Sequence, residues 1–270
     1  MKIEVLHLLE GAKAARGLTV IIDVFRAFSL ECYLYAFGAR EVRPVGAIEE
    51  ALSFRGPAAE RAVPTDSVTL AGREECAPPK EAQTGQSPDG VVLIGERGGV
   101  KLPGFDYGNS PSQVDPQRVQ GRRVIHTTSA GTQGIVNAAG AEEILTGSLV
   151  NARAVAAYIR AADPPEVSLV AMGAGGMRPA PEDELCAAYI QALLTGKDGE
   201  ETAAWMREEI AALRTHGGDH FFLPDRQEDF PEQDFWMCTA LDRFDFVLRV
   251  ERDKKGFLSR LCPAPCSRRI

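Results

Sequence analysis

An α/β protein, three layers deep with helices on both faces of a mixed sheet, is the fold this sequence predicts. Three observations predict it. The runs LTVIIDV (residues 18–24), VVLIG (91–95) and VSLVAM (167–172) are continuously apolar and rich in β-branched residues, as strands buried on both faces are. Segments of helical length stand between such runs, so strands and helices alternate. Finally, GAREV (38–42) and GAEEI (140–144) each follow a strand, a turn and a helix. That recurrence points to a degenerate internal β-α-β-α duplication, with pseudo-repeats at 18–110 and 122–195.

The elements follow in order. A strand at 18–24 leads into a helix at 27–37, which Gly38 stops. A short strand at 41–45 and a helix at 48–54 come next. Residues 56–90 break the pattern with Pro57, Pro64, Pro78, Pro79 and Pro88, and read as an irregular excursion holding a short strand at 67–70. After the strand at 91–95, GERGGVKLPGFDYGNSPSQV forms a long ordered loop. Strand 124–128, helix 131–139 with its stop at Gly140, strand 143–146 and helix 152–161 repeat the opening order. Pro164 and Pro165 end that last helix. Strand 167–172, helix 182–194, helix 201–214 and a strand at 244–250 complete the set. The helix at 201–214 carries Trp205, Ile210 and Leu213 on one face, and the tail CPAPCSRRI reads as loose. The 270 residues are expected to form a single domain.

The net charge of −8 and a pI near 5.2 argue against a nucleic-acid partner, which asks for a basic surplus. No run approaches the roughly 20 apolar residues that span a bilayer, so no membrane partner is expected. The start, MKIEVLHLLEGAKAARG, lacks the apolar core of a secretory signal. The six cysteines (32, 76, 186, 238, 262 and 266) form no CxxC pair and read as reduced thiols in a cytoplasmic protein. Self-association into a homo-oligomer is an open expectation, with no interface legible.

In an open α/β sheet, functional groups gather beyond the carboxyl ends of the strands. Asp23 and Arg26 in IIDVFRAFS stand at the first such end. The carboxylate suits a hard cation and the guanidinium suits an anion, although the two also suit an ion pair at a helix cap. Glu96 and Arg97 in LIGERGG repeat the combination at a second strand end, followed by Asp106, Asn109 and Ser110 in GFDYGNSP. TTSAGT, with Thr127, Thr128, Gly131 and Thr132, lies between a strand and a helix. There its amides suit an oxyanion, or merely cap the helix. Arg178, Glu182 and Asp183 in MRPAPEDELCAAYI form a third acid–base cluster. The four histidines show no HExxH spacing, and GxSxG and GxGxxG are absent, which disfavours zinc peptidase, serine hydrolase and dinucleotide-binding chemistry.

Taken together and in order, IDVFRAFS, LIGERGG, GFDYGNSP, TTSAGT, GSLVNARAVA and PEDELCAAYI resemble the 2-phosphosulfolactate phosphatase family. The resemblance implies a Mg²⁺-dependent phosphatase acting on a small anionic phosphorylated substrate, 2-phospho-3-sulfolactate. It further implies catalytic roles for Asp23, Arg26, Glu96, Arg97 and Asp183, with Asp23, Glu96 and Asp183 as metal ligands. Substrate binding falls to Asn109, Ser110, Thr127, Thr128, Gly131, Thr132 and Arg178. Two departures, Phe28 in the first motif and Ala130 inside TTSAGT, are expected to change the polarity of the pocket. Two rival readings follow: an anion-binding protein without turnover, or a phosphatase for another phospho-2-hydroxy acid.

Overall fold

The computed structural model describes residues 1–55 and 90–264. The predicted strand at 67–70, Cys76 and Cys266 lie outside them. The chain opens with β1 (Lys2–His7) and α1 (Leu8–Ala14), then β2 (Gly17–Ile22), α2 (Ala27–Ala36), β3 (Glu41–Pro44) and α3 (Ile48–Ser53). Next come β4 (Val91–Arg97), the two-residue β5 (Val100–Lys101), α4 (Pro116–Val119), β6 (Arg123–Thr127), α5 (Gly131–Asn137) and β7 (Ala141–Gly147). Then follow α6 (Ala152–Ala162), β8 (Glu166–Ala171), α7 (Pro181–Leu194), α8 (Glu200–Ala212), α9 (Glu232–Cys238), β9 (Phe246–Asp253) and β10 (Gly256–Pro263).

The ten strands form one mixed sheet in the order β1-β8-β2-β7-β9-β10-β3-β6-β4-β5. β1, β8, β2 and β7 pair in parallel, as do β3, β6 and β4. The β9–β10 hairpin joins the two groups through antiparallel pairings on both sides. Every residue of β2 is buried, as its continuous apolar run requires. Leu18, Val20 and Ile22 pack with Val155 and Ile159 of α6 and Ile190 of α7. Ile21 points the other way and packs with Ala12 of α1 and Ile135 of α5. The period-2 alternation of a strand thus places helices on both faces, and the α/β class stands. The second group is covered likewise, by Leu30 and Leu34 of α2 on one face and Ala51 of α3 on the other. The internal duplication is not established by this arrangement, because strand order alone says nothing of common ancestry.

β1, α9 and β10, and the short α1, β5 and α4, are not among the elements expected from sequence. β1 is an edge strand with a half-exposed pattern and lacks the dense apolar signal of its neighbours. The α9 helix is seven residues long, too short for a clear period. β10 contains Cys262 and Pro263, so the tail expected to be loose is a hairpin strand as far as residue 263. Phe28 is also placed differently from expectation. It is a core side chain, 1% exposed, and does not line the cleft, whereas Ala130 does.

Candidate active site

Strand ends and the loops beyond them enclose a cleft of about 830 Å³. Asp23, Arg26, Glu96, Asn109, Arg178 and Asp183 of the expected set line it, together with Glu182. Arg97, Ser110, Thr127, Thr128, Gly131 and Thr132 are not among its lining residues, and their contacts show why.

Asp23 follows β2 and is 6% exposed. Its Oδ1 accepts the Ala27 amide at 3.2 Å, and the Gly131 amide also bonds this carboxylate. Two helix starts, α2 and α5, therefore converge on one charge. A Cβ on Gly131 would lie 2.9 Å from Asp23 Oδ2 and 3.0 Å from Ala27 Cβ, so only glycine permits this approach. Burial raises the Asp23 pKa to about 6, and the nearby Glu96 charge adds to the rise.

Glu96 ties two loops together. Its Oε1 accepts the Ser129 amide at 2.7 Å, and its Oε2 accepts the Gly99 amide at 2.6 Å and the Ser129 hydroxyl at 3.1 Å. Inside TTSAGT, the Thr128 amide bonds Thr132 Oγ1 at 2.9 Å, while the Thr132 amide bonds Thr128 Oγ1 at 3.1 Å. The amides read from sequence as an oxyanion cradle are thus given to the protein's own carboxylates and hydroxyls. Arg97 turns back as a brace, donating to the Glu96 carbonyl at 2.6 Å and to Thr127 Oγ1 at 3.1 Å.

Arg26 is 3% exposed, and both its terminal nitrogens donate to protein acceptors. Nη1 donates to Asp234 Oδ2 at 2.8 Å and to the Asp229 carbonyl at 2.7 Å, and Nη2 donates to the Gly99 carbonyl at 2.9 Å. Its guanidinium carbon lies 4.8 Å from the Phe230 ring centroid. Ser110 Oγ joins the same network, donating to Asp234 Oδ1 at 2.9 Å. The expected phosphate fork is therefore occupied by loop carbonyls and a buried aspartate.

Asp183, on the first turn of α7, also spends both oxygens on backbone. Oδ1 accepts the Val24 amide at 2.7 Å and Oδ2 accepts the Gly173 amide at 2.8 Å. Its neighbour Glu182 is 7% exposed, and its buried Oε2 has no hydrogen-bond partner among the described residues. Burial first, and the Asp23 charge after it, push the Glu182 pKa up to about 7 and that of Asp183 well above the usual carboxylate range. Among the described residues, no three His, Cys, Asp or Glu side chains converge as a metal-ligand group. The triad Asp23, Glu96 and Asp183 expected as ligands is accordingly not assembled as a chelate.

Across the cleft, the exposed Arg178 makes no side-chain hydrogen bond to a described residue. Arg226, absent from the expected set, lines the same cleft, and its guanidinium carbon lies 4.5 Å from the Phe230 ring centroid. His220 sits at 4.9 Å from Phe230, ring to ring, and burial lowers its pKa, with Arg26 and Arg226 adding to the effect. The sequence signal for these was weak: THGGDHFFLPDRQEDF has no periodicity and follows no strand.

One consequence is a pH dependence of stability. Asp23 and Glu182 hold protons in the folded state that the unfolded chain has already released between pH 4 and 7. The folded state binds more protons there, so stability falls as pH rises through that window. Moving Glu182 from 4.5 to about 7 corresponds to on the order of 3 kcal/mol. Metal-free protein is expected to melt several degrees higher at pH 5 than at pH 8. Calorimetry without divalent ions checks this, and a flat profile would contradict the carboxylate environment described.

An α/β sheet whose cleft is lined by buried carboxylates and by guanidiniums without an ion-pair partner among the described residues defines a class of protein suited to a small, multiply charged anion. A family model described as 2-phosphosulpholactate phosphatase matches residues 5–91 and 81–253. The chain belongs to that family. A probable 2-phosphosulfolactate phosphatase of Caldanaerobacter subterraneus is 28% identical over 239 residues, covering 86% of this chain and 87% of the relative. One from Bacillus subtilis is 26% identical over 242 residues, covering 89% and 90%. A third, from Carboxydothermus hydrogenoformans, is 33% identical over 160 residues, 59% of this chain and 54% of that relative.

Proposed function

We propose that this chain is a Mg²⁺-dependent phosphatase that hydrolyses 2-phospho-3-sulfolactate to 3-sulfolactate and phosphate in the cytoplasm. The observation that carries the reading is that one cleft is lined both by the acidic cluster Asp23, Glu182 and Asp183 and by Arg178 and Arg226, which have no ion-pair partner among the described residues. Burial raises all three carboxylates, the Asp23 charge adds to the rise at Glu182 and Asp183, and Glu182 Oε2 has no partner among the described residues, a set that suits a divalent cation. Mg²⁺ usually takes one or two carboxylates, keeps several waters and meets the substrate phosphate, so a full protein chelate is not needed. Asp23 and Glu182 would hold it, and Asp183 adds charge. When bound, the ion supplies neutralising charge for the phosphoryl oxygens.

The remaining work belongs to the side chains. Arg178 and Arg226 bind the substrate's carboxylate and sulfonate and so orient the ester. Asn109 presents a polar donor to the same space. Asp23 accepts two backbone amides, which tether it and stabilise its charge, so it is a poor nucleophile and water attacks the phosphorus directly. Phosphoryl transfer relies on positioning and charge, which this set provides.

The test is phosphate release from a panel of phosphorylated 2-hydroxy acids with Mg²⁺ and with EDTA. Release from 2-phosphosulfolactate that EDTA abolishes is the expected result. No release by folded protein would overturn the reading, and an acid-labile phosphoenzyme would overturn direct water attack. Arg178→Ala is expected to raise KM about tenfold or more with a smaller change in kcat, since it removes contacts made to the non-reacting end of the substrate. Steady-state kinetics measure this split.

A further inference from the structure

A line of buried polar groups runs from the sheet to Asn109 at the cleft, and the phosphatase chemistry gives its inner members no role. Ser259 Oγ of β10 donates to Glu31 Oε2 at 2.9 Å. Glu31 Oε1 lies 2.9 Å from His126 Nδ1, and His126 Nε2 lies 3.0 Å from Asn109 Oδ1. Ser259, Glu31 and His126 are each 0% exposed, and Asn109 is 5% exposed at the cleft wall. Glu31 comes from the apolar helix α2 and His126 from the apolar strand β6, so each is costly there unless it is bonded. The line satisfies both and ends on a side chain that opens into the cleft.

The direction of these bonds has a consequence. With Asn109 Oδ1 turned to His126, the Asn109 amide nitrogen makes no hydrogen bond to another described residue and is left for the cleft. A carboxamide rotated by half a turn would present its oxygen instead, which an anionic substrate would repel. We propose that His126 and Glu31 are positioning residues that lock the Asn109 carboxamide with its N–H₂ toward the substrate, where it donates to an oxygen of the phosphorylated anion. His126 donates through Nε2 to Asn109, and the bond between its Nδ1 and Glu31 fixes the ring between α2 and β10. The inference rests on the phosphatase reading for its substrate, while the lock itself does not depend on it.

Two experiments test it. In ¹⁵N-histidine NMR of the wild-type protein, His126 Nε2 is expected to carry a proton. A bare Nε2 would overturn the lock, because Asn109 would then have to donate to it and show its oxygen to the cleft. The second is a kinetic cycle with 2-phosphosulfolactate. Asn109→Ala and His126→Phe are each expected to lower kcat roughly tenfold to a hundredfold, with KM changed far less. The double variant should be no slower than Asn109→Ala alone, since His126 acts only through Asn109. His126→Gln, which restores an N–H at the Nε2 position, should recover most of kcat. Additive losses, or full kcat in a folded His126→Phe protein, would overturn the proposal. If wild-type protein releases no phosphate, the functional reading fails, and the NMR result still decides the lock.

Discussion

Asp23→Asn is expected to lower kcat/KM for phosphate release by at least ~100-fold and, at pH 8, to make the protein more stable. The two effects share one cause. Asp23 is buried at the floor of the cleft, and its pKa near 6 records the cost of keeping it charged. From 3.8 to about 6 is on the order of 3 kcal/mol, and that cost is borne at every pH above the folded value. Asparagine has no charge to bury. It does lose one of the two amide acceptors, roughly 1 kcal/mol, so a net gain of about 1–2 kcal/mol remains. For a chain of this size that is several degrees in Tm. At pH 4.5 folded Asp23 is protonated while the unfolded chain, with its ordinary value of 3.8, is still largely ionised, so most but not all of the difference should be gone. Melting curves at the two pH values and a phosphate-release assay check both halves. Undiminished turnover in the variant would remove Asp23 from the chemistry.

Arg26→Ala is expected to destabilise the fold by about 3–5 kcal/mol and to reduce activity at least tenfold. The guanidinium holds the Gly99 and Asp229 carbonyls and pairs with Asp234, which is 0% exposed. Removing it leaves a buried carboxylate with only the Ser110 hydroxyl and the Ser112 amide, and frees two loops that wall the cleft. Replacing the pair by an apolar one, Arg26→Met with Asp234→Leu, is expected to restore most of the stability, because the cost lies in the stranded charge. If Arg26 serves the site by holding its walls, that stable pair variant also regains most activity. A stable but inactive pair variant would return Arg26 to direct contact with the substrate. Denaturant melts and kinetics on the same three proteins separate the outcomes.

Much of the sheet was readable because its strands are parallel and buried on both faces, so their apolar runs need no context. β2, β4, β6 and β8 announce themselves this way, and the residues just past them fall at the cleft. Asp23, Glu96 and Asp183 were found by that rule. Their employment was not, because a carboxylate's role depends on which amides lie opposite it. Glu96 spends its oxygens on Gly99 and on Ser129, thirty-three residues away, and Arg26 finds Asp234 across 208 residues. Glu182 was noticed beside Asp183 but given no catalytic or metal role, since first-turn acids on helices are ordinary and only burial makes one of them unusual. Glu31 and His126 did carry a signal. An acid inside AFSLECYLYA and a histidine inside RVIHT are polar groups in segments that must be buried, and such groups require partners.

The sequence by itself determined the α/β class, the order of most elements and the strand ends at which chemistry could gather, because hydrophobic periodicity and turn residues act over a few positions. Its ordered motifs also determined the family. Only the tertiary structure decided which charges remain free. Arg26 and Arg97 were engaged by the fold, while Arg178, Arg226 and Glu182 Oε2, without partners among the described residues, line the cleft. The reason is physical. A buried polar group must find a partner, and whether that partner is protein or is left to be a ligand depends on loops that meet only once the sheet has closed.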